Sequence, residues 1–310
     1  MYDSKNKSKI EKVQYFIEDP DYRFLVLAGK GYFDSMSDED FLKRKFRARM
    51  GYELNLENPQ TFNEKLQWLK LHDHNPEYIR MVDKYEVKQY VVGIIGEEYI
   101  IPTLGVWNSF EEIDFNKLPN QFVLKCTHDS GGIVICKDKK AFNIRSAKDK
   151  INKSLKRSYF YYGREWPYKK VKPRIIAEPY LTDESGIELM DYKFMCFQGV
   201  PKIILICKDR FTETGITEDF FDSNWNHLNF KRLEHECSKE EIVKPRELDE
   251  LLNISVELSR NIPFIRCDYY IVQEKIYFGE LTFYPASGFE PFDPPEWDKK
   301  LGDWIQLPAV

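Results

Sequence analysis

One pair of strands constrains this chain more than any other segment. Residues 265–272 and 276–283 are apolar-rich runs, and Gln273-Glu274-Lys275 between them reads as a hairpin loop. Side chains alternate along a strand, so Arg266 and Asp268 share one face, and Glu280 and Thr282 likewise. A three-residue loop pairs Val272 with Ile276 and sets Asp268 directly opposite Glu280. Two facing carboxylates repel unless a cation lies between them. Oxygen donors alone suit Mg²⁺, which keeps waters and binds substrate phosphates. A two-residue loop would slip the register and send the acids to opposite faces. Both registers stay open at this point.

The rest of the chain limits the class of protein. Its 310 residues suit about two domains. With 42% hydrophobic and 15% aromatic residues it is not disordered. It carries 46 basic and 51 acidic residues, net −5, which argues against a bulk nucleic-acid binder but not against a local phosphate groove. The longest apolar runs, 24–28 and 203–207, fall far short of the ~20 residues a spanning helix needs. The polar start of the chain lacks the apolar core of a signal peptide. The six cysteines form no Cys-x-x-Cys pair and are expected as reduced, mostly buried thiols of a cytoplasmic protein. Cys126 with His128 and His235 with Cys237 would have to meet in space to make a four-ligand zinc site.

Helices are expected first. Phe62, Leu66 and Leu69 share a helical face, with Thr61 and Glu64 at capping-box spacing. A second helix is expected over 77–92, ended by Gly93, then a strand at 99–101. Strands at 122–125 and 133–136 flank a glycine-containing turn. A helix covers 147–157, a loop 159–168, a strand 175–177, and two strands, 193–197 and 202–207, follow. Ser238 and Glu241 could cap a short helix, and Pro245 opens a longer one with a Leu248, Leu251, Leu252 and Leu258 stripe.

Four features carry chemistry together. Lys125 ends a strand before Ser130-Gly131-Gly132, whose amides could approach phosphate oxygens; alone, this is an ordinary hairpin. Glu178-Pro179-Tyr180-Leu181 after an apolar strand could offer backbone groups to a flat heterocycle, or be a plain strand end. Asp191 could accept from ribose hydroxyls with Lys193 facing phosphates, or the two form a surface ion pair. The Asp268–Glu280 hairpin is the fourth.

In this order the features resemble the ATP-grasp superfamily, specifically its TupA-like branch of teichuronopeptide and surface-polysaccharide synthesis, over roughly 55–308. Asn58-Pro59-Gln60-Thr61-Phe62-Asn63-Glu64-Lys65-Leu66-Gln67-Trp68 is the most specific match, followed by Asp83-Lys84-Tyr85. The resemblance implies an α+β fold: a mainly helical N-terminal region (1–114) and an ATP-grasp core of two lobes, a lid lobe (115–185) and a C-terminal lobe with the metal site (186–310). It implies ATP and Mg²⁺ as cofactors. Lys84 and Lys125 would hold phosphates under a lid of Ser130, Gly131 and Gly132. Glu178, Tyr180 and Leu181 would bracket adenine, Asp191 the ribose and Lys193 a phosphate. Asp268 and Glu280 would hold Mg²⁺, with Thr282 where the family usually has Asn, and Arg266 would stabilise an anionic intermediate. His128 would contact a phosphate or acceptor, or only shape the turn.

The implied activity is ATP-dependent ligation of a carboxylate, such as a uronic acid of a surface glycan, to an amine. The N-terminal region reads as helical where the superfamily usually has an α/β substrate domain, so no acceptor site carries over. Peripheral membrane contact stays open, and the oligomeric state is unknown. The alternatives are an inactive ATP-grasp module, or a glycosyltransferase using Asp19-Pro20-Asp21 or Asp38-Glu39-Asp40. Lys43, Arg44, Lys45, Arg47 and Arg49 are expected as a positive collar able to steer a polyanionic acceptor.

Overall fold

The computed structural model describes residues 8–182, 189–209 and 215–309; the expected lobe boundary at 185/186 lies outside them. In chain order the helices are α1 (Lys9–Glu18), α2 (Pro20–Gly29), α3 (Asp38–Met50), α4 (Phe62–His72), α5 (Glu77–Val82), α6 (Glu86–Ile95), α7 (Ile144–Leu155), α8 (Phe160–Gly163), α9 (Leu248–Ser259) and α10 (Glu296–Asp303). The strands are β1 (Gly105–Trp107), β2 (Phe122–Cys126), β3 (Ile133–Cys136), β4 (Ile175–Pro179), β5 (Asp191–Phe197), β6 (Val200–Lys208), β7 (Thr217–Asp222), β8 (Lys231–Arg232), β9 (Phe264–Val272), β10 (Lys275–Thr282) and β11 (Phe292–Asp293). The chain forms two compact units. One comprises Met1–His74, Phe160–Trp166 and Tyr284–Val310, the other Asn75–Tyr159 and Pro167–Phe283.

The first unit is helical because its helix starts are written locally. Ser8 with Glu11 and Thr61 with Glu64 close capping boxes over α1 and α4. Asp19 caps α2, with Pro20 in its first turn. Gly51, at φ 83°, ends α3 in the left-handed region where a Cβ is costly. Leu42, Phe46, Leu54 and Phe289 form one small core, and Phe24, Ala28 and Phe41 another.

The most specific stretch of the sequence is spent on this packing. Asn63 donates its backbone and side-chain N–H groups to Asp298 Oδ1, both at 3.0 Å. Lys65 Nζ donates to the Gly302 and Ile305 carbonyls at 2.9 Å. Gln67 Nε2 donates to Gly288 O at 2.6 Å, and buried Lys70 to Ser287 O at 2.7 Å. Each bond satisfies a buried polar group, so α4 is a clamp on the C-terminal segment.

Two expectations change in this unit. Both Asp-x-Asp patterns are helix starts: Asp19 Oδ1 accepts from the Asp21 and Tyr22 amides, and Asp38 lies in the first turn of α3. Neither presents a nucleotide-sugar metal motif, because its acids serve helix termini. The basic stretch of α3 is also not a free collar. Lys45 is buried, donates to Tyr162 O at 2.5 Å and lies over aromatic rings. Lys43 pairs with Glu39, and Arg47 with Asp21.

The second unit is built on two antiparallel sheets, ordered β1-β4-β2-β3 and β10-β9-β5-β6-β7. Helix α7 covers the first over a core that includes Phe122, Leu124, Ile151 and Ile175. Helix α9 covers β5, β6 and β9 with Leu248, Leu251, Ile254 and Leu258 buried. Ser255 on α9 meets Tyr269 of β9. By alternation Tyr269 and Cys267 therefore face the helix, while Arg266 and Asp268 face the opposite side.

Several local expectations change here. The helix expected over 77–92 is two helices. Asp83 accepts from the amides of Tyr85 and Glu86 and caps α6, so the helix breaks at Asp83-Lys84-Tyr85. It ends at Gly96 (φ 108°) rather than Gly93. Residues 97–99 form a 3-10 turn, and Ile100 makes a single bridge to Phe278 in place of a strand. No helix forms at Ser238, whose N–H is taken by Asp219. The stretch expected as a loop at 159–168 contains α8.

Candidate active site

The five-stranded sheet sets the chemistry by register. Asp268 of β9 faces Lys193 of β5 on one side and Glu280 of β10 on the other. One row of side chains, Lys193, Asp268 and Glu280, thus runs across three strands. The next row places Arg266 beside Thr282. The Asp268–Glu280 pairing is as expected, but its cause is different. The turn between β9 and β10 is two residues, Gln273 and Glu274, both at positive φ (51° and 60°), and it pairs Val272 with Lys275. That is the register that separates the acids. A bulge at Gly279 shifts the pairing by one and brings Glu280 opposite Asp268. A Cβ on Gly279 would lie 3.0 Å from the Asp268 carbonyl oxygen, so glycine suits the bulge. An isolated glycine within a strand pattern was the available signal.

Asp268 does not need a metal to relieve its repulsion. Arg266 grips it with two parallel bonds of 2.6 Å, and Lys193 Nζ donates to Oδ2 at 2.6 Å. Arg266 also reaches Glu280 Oε1 at 3.5 Å and donates to Thr282 Oγ1 at 3.2 Å. The cation between the two acids is therefore a guanidinium. Burial pushes the Asp268 carboxyl up, but Arg266 and Lys193 together hold it below its ordinary value. Burial likewise disfavours the Lys193 ammonium, and Asp268 and Asp191 reverse this and raise it. Asp191 Oδ1 lies 3.5 Å from Lys193 Nζ.

The four-stranded sheet carries a second buried carboxylate. Glu178 accepts from Lys125 at 2.5 Å and from Lys88 at 2.6 Å. Burial raises its carboxyl, and Lys125 and Lys88 outweigh that and lower it. Lys88 was not foreseen. The signal was a lysine beside Val87 and Val91 on the buried face of an amphipathic helix, where a lone charge requires a partner. Lys84 sits in the α5–α6 break and donates to Asp129 O at 2.5 Å, 4.0 Å from Glu280 Oε2.

Between the two sheets, within this unit, lies a cleft of about 330 Å³. Lys84, Lys125, Ser130, Glu178, Tyr180, Leu181, Asp191, Lys193 and Glu280 all line it. Its apolar wall is Val123, Ile133, Ile135, Pro179 and Leu189, a surface that suits a flat heterocycle. Arg266, Asp268 and Thr282 lie in the supporting rows and are not among its lining residues. Nor are Gly131 and Gly132, which differ from each other. A Cβ on Gly132 would lie 2.7 Å from Cys126, whereas one on Gly131 would meet nothing within 4 Å. Gly132 serves packing, and Gly131 leaves the tip open. His128 is buried, and its Nε2 donates to Ser154 O at 3.2 Å, so it anchors the turn to α7.

The sequence model of one protein family, TupA-like ATP-grasp, matches residues 64–306. The chain belongs to that family. No curated protein matches it. Solved structures of similar fold include the D-alanine–D-alanine ligase of Helicobacter pylori, at 16% identity and TM-score 0.41, covering 79% of this chain and 69% of that one. The corresponding ligase of Bacillus anthracis complexed with ATP has 17% identity and TM-score 0.41, covering 80% and 68%. N5-carboxyaminoimidazole synthetase of Staphylococcus aureus complexed with ADP has 14% identity and TM-score 0.42, covering 81% and 61%. The ATP-grasp fold is an α+β core preceded here by the helices α1–α3. Among the described residues no helix is long and apolar enough to cross a membrane.

Proposed function

We propose that the chain is an ATP-dependent carboxylate–amine ligase working through an acyl phosphate. Family membership supports this, and one observation carries it. Lysines from three separate segments, Lys84, Lys125 and Lys193, line one cleft together with the half-exposed carboxylate of Glu280. The lobes are 115–185 and 186–310, each supplying one wall. Tyr180, Leu181 and the backbone at Glu178 take the adenine, Asp191 the ribose, and the three lysines with the Ser130–Gly132 turn the phosphates. Glu178 keeps Lys88 and Lys125 in place.

A carboxylate is a poor electrophile because it is anionic and lacks a leaving group. Its oxygen attacks the γ-phosphorus of ATP and ADP departs; the amine nitrogen then attacks the acyl carbon, phosphate leaves and the amine loses a proton. Fixed cations favour this transfer by lying where negative charge gathers. No side-chain nucleophile is required. The donors partly fit Mg²⁺. Glu280 offers a half-exposed carboxylate held only by long contacts to Arg266, Thr282 and Lys84, Thr282 adds a hydroxyl, and Asp268 would join only on yielding a contact from Lys193 or Arg266. When bound there, Mg²⁺ would neutralise phosphate oxygens. Arg266 serves chiefly by positioning Asp268 and Thr282.

On this reading the carboxylate is a uronic acid of a surface glycan, the amine an amino acid or amino sugar, and the enzyme cytoplasmic. Phosphate release from ATP, measured against a panel of uronic acids and amines, should require one of each. UDP-sugars should neither support turnover nor raise the melting temperature, whereas magnesium-ATP should raise it. A melting shift with UDP-sugars and none with ATP would overturn the proposal.

A further inference from the structure

We propose that Asp219, His227 and Cys237 form a zinc site at the edge of β7, outside the nucleotide cleft. One ligand atom from each lies within 4.8 Å of the others. The backbone holds all three segments in place. Leu228 N donates to Phe220 O at 2.7 Å, and His227 bridges Phe221. Glu218 N donates to Glu236 O at 2.9 Å, which brings Cys237 beside the same strand. Asp219 is oriented by both: its Oδ2 accepts from Ser238 N at 2.9 Å, and its Oδ1 lies 3.1 Å from His227 Nε2.

The charge balance of the cluster favours a cation. Asp219 is buried, and among the described residues no lysine or arginine pairs with it. Its side-chain neighbours are the His227 imidazole and the Cys237 thiol, both metal-ligand types. A buried carboxylate without a cation is costly.

The donor set selects the ion. Magnesium and calcium prefer oxygen alone, whereas sulfur, imidazole and carboxylate together suit Zn²⁺. Tetrahedral zinc with bonds of about 2.0 Å places its N and O ligands about 3.3 Å apart, near the His227–Asp219 spacing. His227 is half exposed, which leaves room for water as the fourth ligand. His235, the sequence neighbour of Cys237, instead faces Glu218 at 3.8 Å. The four-ligand site that would join Cys126 and His128 to His235 and Cys237 is therefore not the one proposed here. Bound zinc would tie the excursion over residues 223–238 to the sheet.

The test titrates the full chain, first stripped by chelator, with Zn²⁺ alone against a chromophoric competitor. The wild type should bind one equivalent and gain melting temperature. Cys237→Ser and His227→Gln should each weaken binding by more than the roughly 10–100-fold typical of changes around a metal site. Both should keep the wild-type circular dichroism. Cobalt should give a thiolate charge-transfer band in the wild type that Cys237→Ser lacks. No stoichiometric zinc in the wild type, or equal binding in both variants, would overturn the site. A histidine titration showing His227 protonated against Asp219 with zinc present would do the same. Since the readout needs no ATP, it stands apart from the ligase reading.

Discussion

Each sheet of the cleft buries one carboxylate between two cations, and the two differ in what remains over. On the four-stranded sheet, Glu178 holds Lys125 from the neighbouring strand and Lys88 from helix α6. On the five-stranded sheet, Asp268 holds Arg266 from its own strand and Lys193 from the next, and Glu280 remains as a further, half-exposed acid. The first arrangement ties a helix to a sheet and lines the cleft with Lys125 and its buried partner Glu178. The second is fixed by strand register and adds Glu280, an acid that water reaches. A half-exposed carboxylate beside lysines suits a metal–phosphate complex.

The largest way to break this contrast is Asp268→Asn. It leaves Arg266 and Lys193 buried without their anion, which should cost about 3–5 kcal/mol in urea unfolding and abolish phosphate release. Wild-type stability would mean that the row does not depend on this pair. Next is Glu178→Gln, expected at about 3 kcal/mol because Lys125 keeps some access to water.

Acid should reveal both clusters. Glu178 and Asp268 have carboxyls lowered from ordinary values of 4.5 and 3.8. A lowered folded value stabilises the fold above the ordinary value, and that stability is lost as pH falls through the folded value. The urea midpoint should therefore fall below about pH 4.5, and each variant should flatten part of that decline; an unchanged slope in both would count against the pairing.

Gly279→Ala sharpens the register argument. The added methyl meets the Asp268 carbonyl, so about 1–3 kcal/mol should be lost, with kcat falling more than ATP affinity. If kcat holds, Glu280 does not depend on the bulge. The smallest effect is expected at Gly131→Ala, within about 0.5 kcal/mol, because its Cβ enters open space. A large loss of stability there would mean the open tip had been misjudged.

Much of the site was legible because its residues sit at strand ends or in period-two patterns. Lys125, Glu178, Asp191, Lys193 and Glu280 all reach the cleft. The hairpin was read correctly in outcome but by the wrong loop length, since Gly279 made up the missing residue. The signature helix α4 was legible as a helix with its capping box. Its contacts to residues 284–305 were not, because they join positions more than 200 apart in sequence.

What the sequence alone determined was local: where helices start and which residues of one strand share a face. These follow from caps and from alternation, which act within a few residues. The tertiary structure decided which cations the buried acids accept. Arg266 lies two residues from Asp268 on the same strand face, but Lys193 meets Asp268, and Lys88 meets Glu178, only after strands and a helix distant in sequence have packed. A buried charge accepts whichever partner the fold brings within about 3 Å, and no local pattern records that distance.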